Sequence, residues 1–315
     1  MNPDRIAIID LGTNTFHLLI AELNNGLEND LIKLKVPVKL GQGGISRGTI
    51  APDAYARALA TLAGFKEETD KYAVKTVRAV ATSAVRNAKN GQKLVDEIYA
   101  HFGWEVEIIP GALEAELIYE GVKCALDIGD ERSLVMDIGG GSVEFIICTQ
   151  TKIFWKQSFE VGAQRLLDAF HRTDPITTTE VLHLKHYLAD KLQPLTIAMS
   201  QYHPRVLIGS SGTFDTLCDI EAFRENRQPN QACLENSLSL ENFYHIYHDL
   251  LTKTRAQRLQ TPGMIEMRVD MIVVASVLID FVINTYFIEK LRVSAYALKE
   301  GLLSRIMEEI QKGKG

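Results

Sequence analysis

Two stretches with the same pattern decide the fold: IAIIDLGTNTFHLLI at residues 6–20 and LVMDIGGGSVEFII at residues 134–147. Each is an apolar run that ends in an aspartate, then a turn rich in glycine and hydroxyl side chains, then a second apolar run. Apolar runs of this length between turn residues are typical of buried strands. The recurrence of the unit in the second half of the chain indicates a duplicated domain.

Predicted strands and helices alternate through both halves of the chain. The pattern restarts after DIGDER at residues 127–132, which indicates an α/β protein with domains at residues 1–125 and 126–315. The last helix is a candidate to pack back on the first domain. Strands are predicted at 5–10, 15–23, 29–38, 74–81, 104–109, 133–138, 143–148, 205–208 and 291–294. Helices are predicted at 52–72, 90–102, 113–119 (ended by Gly121), 163–170, 178–200, 240–252, 265–287 and 298–311, with another after residue 213 and a loop-rich segment at 223–238.

Composition excludes several classes of protein. A net charge of −6 over 315 residues argues against a non-specific nucleic-acid binder, and the spacing of the basic set Lys33, Lys35, Lys39 and Arg47 favours a solvated face. The longest apolar stretch, residues 271–279, ends at Asp280 and is too short to span a bilayer.

The cysteines and the N-terminus bear on the compartment. Four widely spaced cysteines form no CxxC pair, which argues against a disulfide framework or a zinc site and indicates a reducing compartment. No signal peptide is visible at the N-terminus. We therefore expect a cytoplasmic protein without membrane or nucleic-acid partners, and a homodimer stays open.

Three loops rich in Gly, Ser and Thr, at residues 10–15, 137–142 and 208–213, each follow an apolar strand. Glycine lets a backbone approach an anion closely, and free amides and hydroxyls supply donors. One such loop would be an ordinary turn, but three of them, two in a repeated frame with an aspartate, favour phosphate binding. None is a Walker A or dinucleotide-binding loop, because the first two lead into strands rather than helices.

The histidines favour structural roles. His17 lies on an apolar strand and is expected to be a core residue. The pairs His183/His186 and His245/His248 have helical spacing but no evident third ligand, so they are expected to lie on solvated faces.

Six motifs occur in order along nearly the whole chain: IDLGTNTFHLLI, ATSAVRNA, GALEAELIYEGV, DIGGGSVEF, GSSGTF and YALKEGLL. Together they resemble the exopolyphosphatase and guanosine pentaphosphate phosphohydrolase family, the Ppx/GppA phosphatases of the actin-like ATPase superfamily. The resemblance implies two RNase H-like domains, each with a mixed five-stranded sheet, and an active site in the cleft between them. It also implies hydrolysis of terminal phosphates from polyphosphate or a guanosine polyphosphate.

Site residues follow from the same resemblance. Glu114 matches the family's general base, and Asp137 and Glu144 match carboxylates near a divalent metal such as Mg²⁺, which prefers oxygen ligands. Asp10 occupies the equivalent place in the first repeat. The residues expected to bind substrate phosphate are Gly12, Thr13, Asn14, Thr15, Arg86, Gly139, Gly140, Gly141, Ser142, Ser211, Gly212, Thr213 and Arg268.

Alternatives stay open for some of these residues. An exposed loop position would equally explain Arg86, and an ion pair with Asp270 at a helix start would explain Arg268. The chain departs from the family where residues 271–275 continue the helix, and where Lys299 replaces a common Arg. It also ends without the helical extension of longer members, which predicts a preference for short substrates.

Two other functions compete with hydrolysis. A sugar or acetate kinase of the same superfamily would need an acceptor pocket and an adenosine-binding loop, and neither is identifiable in the sequence. A non-catalytic sensor of polyphosphate or guanosine tetraphosphate is disfavoured by the intact Glu114, Asp137 and Glu144.

Overall fold

The computed structural model describes residues 4–24, 27–230 and 232–313. The chain divides into two compact units: unit 1 comprises Met1–Glu120 and Leu298–Gly315, and unit 2 comprises Gly121–Ala297. Each unit has its own sheet and its own apolar core, so each is described by itself.

Unit 1 is built on a five-stranded mixed sheet in the order β3-β2-β1-β4-β5. β1 pairs antiparallel with β2 and parallel with β4, while β5 adds in parallel to β4 and β3 adds antiparallel to β2. Because β1 and β4 are adjacent and parallel, the loops that follow them lie at the same end of the sheet. The strands are β1 (Asp4–Leu11), β2 (Thr15–Asn24), β3 (Leu27–Pro37), β4 (Thr76–Ala81) and β5 (Val106–Ile108).

A 3-10 turn (Ile45–Arg47) and four helices accompany this sheet: α1 (Pro52–Lys71), α2 (Ser83–Arg86), α3 (Gly91–Phe102) and α4 (Gly111–Ala125). The prediction that Gly121 ends the last of these helices is wrong. A helical glycine costs only about 1 kcal/mol relative to alanine. The flanking side chains of Ile118 and Val122 are 1% and 0% exposed, so their burial offsets that cost. The division between the two units falls within α4, and the predicted boundary after residue 125 stays a prediction.

Unit 2 has a six-stranded mixed sheet in the order β10-β11-β9-β6-β7-β8. The predicted α/β class with two mixed sheets is confirmed, with one more strand here than expected. The two strands that the sequence did not indicate, β8 and β10, lie at the edges, where half-exposed side chains give weak alternation. The strands are β6 (Ser133–Ile138), β7 (Val143–Cys148), β8 (Ile153–Phe159), β9 (Val206–Ser210), β10 (Glu235–Ser237) and β11 (Lys290–Ser294).

The helices of unit 2 are α5 (Ala163–Phe170), α6 (Thr178–Lys191), α7 (Gln193–Tyr202), α8 (Gly212–Arg224), α9 (Leu240–Thr252), α10 (Arg255–Leu259) and α11 (Met271–Tyr286). Two predictions are corrected. The single helix expected at 178–200 is divided, because Pro194 starts a new helix at α7. The helix expected from residue 265 begins at Met271, which leaves Arg268 in the preceding turn.

The C-terminal helix α12 (Leu298–Gly313) belongs to unit 1. Leu303 and Ile306 of this helix pack with Ile6, Ile8 and Leu19 of the unit 1 sheet in a small apolar cluster. Within the described ranges, no helix combines the length and the apolar character needed to cross a membrane.

Candidate functional site

The first glycine turn joins β1 to β2 in unit 1. The carbonyl of Leu11 accepts from the Thr82 amide at 3.4 Å, and the carbonyl of Thr13 accepts from the Gly41 amide at 2.9 Å. In a planar trans peptide the C=O and the next N–H point in opposite directions, so the amides of Gly12 and Asn14 face away from these supports. A Cβ on Gly12 would lie 2.7 Å from the Thr15 carbonyl oxygen, so the turn requires glycine there.

Asp10 is the penultimate residue of β1 and lies directly opposite His17 on β2. Both side chains are half-buried, so the prediction that His17 is a core residue is corrected. The hydroxyl residues Thr13 and Thr15 are 4% and 6% exposed and Asn14 is 6% exposed. The first turn thus places an acid, two hydroxyl residues and an amide side chain at the end of β1.

Arg86 and Glu114, predicted separately as a phosphate ligand and a general base, form an ion pair. Arg86 Nη1 donates to Glu114 Oε2 at 2.8 Å and to the Ile109 carbonyl at 3.0 Å. The Arg86 side chain is 17% exposed and that of Glu114 is 8% exposed. The alternative of an exposed loop arginine is therefore wrong, since Arg86 ends helix α2 and is oriented toward the first turn of α4.

The second glycine turn, Gly139–Ser142, joins β6 to β7 in unit 2. The amides of Ala163 and Gln164, at the start of α5, donate to the carbonyls of Gly139 and Gly140 at 2.9 Å each. In the described part of the chain, no backbone carbonyl accepts from the amides of Gly140 or Gly141. The N-terminus of α5 thus fixes the turn from its carbonyl side.

Two buried carboxylates flank this turn. Asp137 on β6 lies directly opposite Glu144 on β7, and the two residues are 6% and 1% exposed. The hydroxyls of Ser210 and Ser211 each donate to Asp137 Oδ2 at 2.6 Å. Ser158 on β8 donates to Glu144 Oε1 at 2.6 Å. Like charges directly opposite each other on paired strands repel, so the pair favours a cation nearby.

The third loop leads from β9 into α8. Ser211 precedes that helix with φ 71° and ψ 170°, a region of backbone space that is almost confined to glycine. Its hydroxyl bond to Asp137 holds it there. Strained backbone of this kind persists where the surroundings fix it and clusters at functional sites. Thr213, in the first turn of α8, is 1% exposed.

Arg268 lies against the start of α8. A Cβ on Gly212 would lie 2.3 Å from Arg268 Nη2, so the guanidinium packs directly on this glycine. Arg268 is 8% exposed, and its Nε is buried without a hydrogen-bond partner among the described residues. Burial lowers the pKa of Arg268, while the charges of Asp215 and Asp137 act in the opposite direction.

The expected helix-start pair between Arg268 and Asp270 is not formed. Asp270 instead accepts from Arg255 Nε at 2.9 Å. Since a buried charge is costly unless it is paired, the placement of Arg268 at a helix N-terminus favours binding of an anion.

The predicted metal ligands fall in both units: Asp10 in unit 1, and Asp137 and Glu144 in unit 2. Among the residues the structure describes, no group of three or more His, Cys, Asp or Glu side chains is arranged to hold a metal ion. The two carboxylates of Asp137 and Glu144 are sufficient for Mg²⁺, which is commonly held by one or two carboxylates together with waters and substrate phosphates.

Several neighbours of the site were not indicated by the sequence: Ser158, Gly162 and Arg165. Ser210 belongs to the 208–213 loop that the sequence predicted to bind phosphate, and it is fully buried. Ser158 lies on the unpredicted strand β8, so no pattern placed it opposite Glu144. Arg165 lies on a helix that was predicted, but its contact with the second turn is a tertiary one.

Similarity to known proteins agrees with this arrangement. Exopolyphosphatase 2 of Mycobacterium tuberculosis is 31% identical over 286 residues, covering 85% of this chain and 86% of that protein. A guanosine-5'-triphosphate,3'-diphosphate pyrophosphatase of Photobacterium profundum is 25% identical over 305 residues, covering 97% of this chain and 60% of that protein.

Two solved structures extend the comparison. A crystal structure of an exopolyphosphatase from Cytophaga hutchinsonii has a TM-score of 0.94 and 44% identity, covering 97% of this chain and 98% of that one. A Ppx/GppA family member from Aquifex aeolicus shares the fold, with a TM-score of 0.78 at 24% identity and 99% coverage of both chains. The Ppx/GppA phosphatase family model matches residues 19–310. The chain therefore belongs to the Ppx/GppA phosphatase family.

Proposed function

We propose that this protein is an exopolyphosphatase, which releases terminal inorganic phosphate from inorganic polyphosphate by attack of water on a phosphoanhydride bond. The relatives from Mycobacterium tuberculosis and Cytophaga hutchinsonii that are named exopolyphosphatases support this substrate. The observation that carries the proposal is Arg268, a buried guanidinium packed on the first residue of α8 with its Nε unpartnered in the described residues. A phosphate at this helix N-terminus would accept a hydrogen bond from this donor.

In unit 2, phosphate oxygens would be bound by the second and third loops. The turn Gly139–Ser142 offers backbone amides on the side away from α5. The third loop adds Ser211, Gly212 and Thr213 at the start of α8, where amides and helix dipole favour an anion.

In unit 1, Glu114 would act as the general base. A carboxylate that orients water in line with phosphorus and removes its proton suits phosphoryl transfer to water without a covalent intermediate. Arg86 holds one oxygen of this carboxylate at 2.8 Å. Since a guanidinium has five donor hydrogens, Arg86 can orient Glu114 and still bind a phosphate oxygen. The turn residues Gly12, Thr13, Asn14 and Thr15 would supply further hydrogen-bond donors for phosphate in unit 1.

Asp137 and Glu144 would hold Mg²⁺ in unit 2, and Asp10 occupies the equivalent place in the first turn of unit 1. When bound, the ion would neutralise charge on phosphate oxygens. The two unit 2 carboxylates are nearly fully buried on adjacent strands, which supports this assignment.

A second substrate, guanosine pentaphosphate, is favoured by the similarity to the Photobacterium profundum pyrophosphatase. Both substrates present a terminal phosphoanhydride to the same groups. The choice between them depends on contacts with the remainder of the substrate.

One assay tests the proposed function against its rivals. Phosphate release is measured from short polyphosphate, long polyphosphate, guanosine pentaphosphate and ATP, each with and without Mg²⁺. We expect Mg²⁺-dependent release that is fastest from polyphosphate. Release from guanosine pentaphosphate alone would establish the second substrate, and binding of polyphosphate without release would indicate a sensor. Phosphate transfer from ATP to a sugar or acetate would indicate a kinase.

A further inference from the structure

The second glycine turn is fixed by one short segment, residues 162–165. The amides of Ala163 and Gln164 donate to the carbonyls of Gly139 and Gly140, and the Gly162 amide donates to the Gly141 carbonyl at 3.2 Å. The Gly141 carbonyl also accepts from Arg165 Nε at 2.8 Å. All three glycine carbonyls of the turn therefore face this segment, and one of the four donors is a side chain.

The direction of the carbonyls determines the direction of the amides. The peptides of the turn are trans, and each C=O lies opposite the N–H of the following residue. The amides of Gly140, Gly141 and Ser142 consequently point away from α5, on one side of the turn. Successive amides on one side form a concave anion-binding surface.

Arg165 is itself held in place. Its Nη2 lies 3.0 Å from Glu160 Oε2, and its side chain is 20% exposed. Glu160 and Gly162 precede α5, and a Cβ on Gly162 would lie 2.4 Å from the Gly141 carbonyl carbon. Residues 162–165 therefore pack in direct contact with the turn, and the planar guanidinium of Arg165 connects them to the Gly141–Ser142 peptide.

We propose that Arg165 is a positioning residue for phosphate binding. Its Nε fixes the Gly141 carbonyl, and this orients the Ser142 amide toward a phosphate oxygen. The effect of Arg165 on turnover rests on the proposed phosphatase function. The orientation of the Ser142 amide does not, because it follows from the geometry of the turn. Arg165 contacts the turn on the side opposite these amides, so it acts through the backbone and not on the substrate.

Two variants separate this role from a general effect of charge. Arg165→Met removes the Nε donor but keeps an unbranched side chain, and Arg165→Lys keeps the positive charge but replaces the planar fork with a point charge. Arg224→Gln serves as the control, because it removes a half-exposed ion pair with Asp249 at the far end of α8. Thermal unfolding of each variant verifies that it is folded, and Arg165→Lys provides the test if Arg165→Met does not fold.

The first measurement is independent of turnover. Inorganic phosphate is titrated into ¹⁵N-labelled, deuterated protein, and the amide signals of Gly140, Gly141 and Ser142 are followed. We expect all three signals to shift in the wild type, and the Ser142 shift to be lost or at least halved in both Arg165 variants. An unshifted Ser142 signal in the wild type, or equal shifts in the variants, would overturn the proposal.

The second measurement is turnover with short polyphosphate. Removing one oxyanion donor in other enzymes costs about 10²–10³-fold in kcat. A misoriented amide should cost less, about tenfold in kcat/KM for both Arg165 variants, with Arg224→Gln within twofold of wild type. Wild-type activity in both Arg165 variants would contradict the positioning role. A wild type without activity but with Arg165-dependent amide shifts would refute the phosphatase and leave the positioning of Ser142 in place.

Discussion

The turn after β1 and the turn after β6 present their amides in the same way but are held by different partners. In unit 1, the carbonyls of Leu11 and Thr13 accept from the backbone amides of Thr82 and Gly41, which come from separate segments. In unit 2, the glycine carbonyls accept from consecutive residues at the start of α5 and from the Arg165 side chain. Two similar local sequences thus form similar turns whose carbonyls are held by different hydrogen-bond donors.

This difference in hydrogen-bond donors determines which turn a side-chain substitution can alter. Backbone donors are retained in almost any substitution. Side-chain substitutions should therefore alter the first turn only where an added Cβ would collide with the backbone. The second turn depends in part on one guanidinium and on glycines that allow close contact with the next helix. We expect the two turns to respond differently to equivalent changes.

Among the changes that compare the two turns, the largest expected effect comes from glycine substitutions. In Gly162→Ala, the Cβ would lie 2.4–2.5 Å from backbone atoms of Gly140 and Gly141, which must move. In Gly12→Ala the overlap is with one backbone oxygen at 2.7 Å. Crowding of this kind typically costs about 1–3 kcal/mol, and misplaced donors cost about 10²-fold in rate.

Both variants are compared by urea unfolding and by kcat/KM for phosphate release. Gly162→Ala should lose more unfolding free energy and more kcat/KM than Gly12→Ala. Gly64→Ala on α1, where a Cβ meets nothing within 4 Å, is the matched control. An unchanged Gly162→Ala enzyme would show that the second turn is not tightly held by α5.

The next effect concerns the arginine of unit 1. Arg86→Lys keeps the charge but cannot hold Glu114 and the Ile109 carbonyl with one planar group while also reaching a phosphate. We expect kcat/KM to fall about tenfold, a loss that corresponds to about 1.4 kcal/mol. Arg5→Lys, which alters an ion pair with Glu22 elsewhere in unit 1, should leave kcat/KM unchanged. Equal values for both variants would show that the guanidinium fork is not used.

Asp10 and Asp137, the penultimate residues of β1 and β6, give a smaller, comparative effect. Asp137 lies opposite another buried carboxylate, Glu144, whereas Asp10 lies opposite His17. Asp137→Asn and Glu144→Gln should therefore raise the Mg²⁺ concentration for half-maximal activity several-fold, and more than Asp10→Asn does. Mg²⁺ titrations of the three variants measure this order. Identical titration curves for wild type, Asp137→Asn and Glu144→Gln would remove the unit 2 pair from the metal site.

The smallest expected effect is a stability difference at the third loop. Ser211→Ala and Ser211→Gly both lose the hydroxyl bond to Asp137, but only glycine relieves the backbone strain at φ 71°. Strain of this kind costs about 1–3 kcal/mol, and glycine loses about 0.5–1 kcal/mol in chain entropy. Ser211→Gly should therefore be about 1 kcal/mol more stable than Ser211→Ala in urea unfolding. A less stable glycine variant would show that Ser211 is unstrained.

Local pattern was sufficient to predict the repeated strand–turn–strand units and most of the helices. The pairing of β6 with β7 sets Asp137 opposite Glu144. These features depend on residues close in sequence, where alternation and turn chemistry act directly.

What the sequence missed depends on contacts between distant segments. The Arg86–Glu114 pair, the bonds from Ser210 and Ser211 to Asp137, and the partial exposure of His17 arise from packing that no local pattern encodes. Edge strands β8 and β10 were missed because half-exposed strands lack a clear alternation. The predicted helix end at Gly121 was wrong because the burial of its neighbours outweighs the low helix propensity of glycine.

The most direct test of the proposed chemistry is Glu114→Gln beside Glu116→Gln. The two residues share the start of α4, but Glu116 lies 3.6 Å from Arg305 and its side chain is 40% exposed. With short polyphosphate and Mg²⁺, we expect Glu114→Gln to lose about 10²–10⁴-fold in kcat. Polyphosphate binding, measured by calorimetry, should be largely retained, and Glu116→Gln should stay near wild type. Activity of Glu114→Gln within a few-fold of wild type would contradict the assignment of Glu114 as the general base.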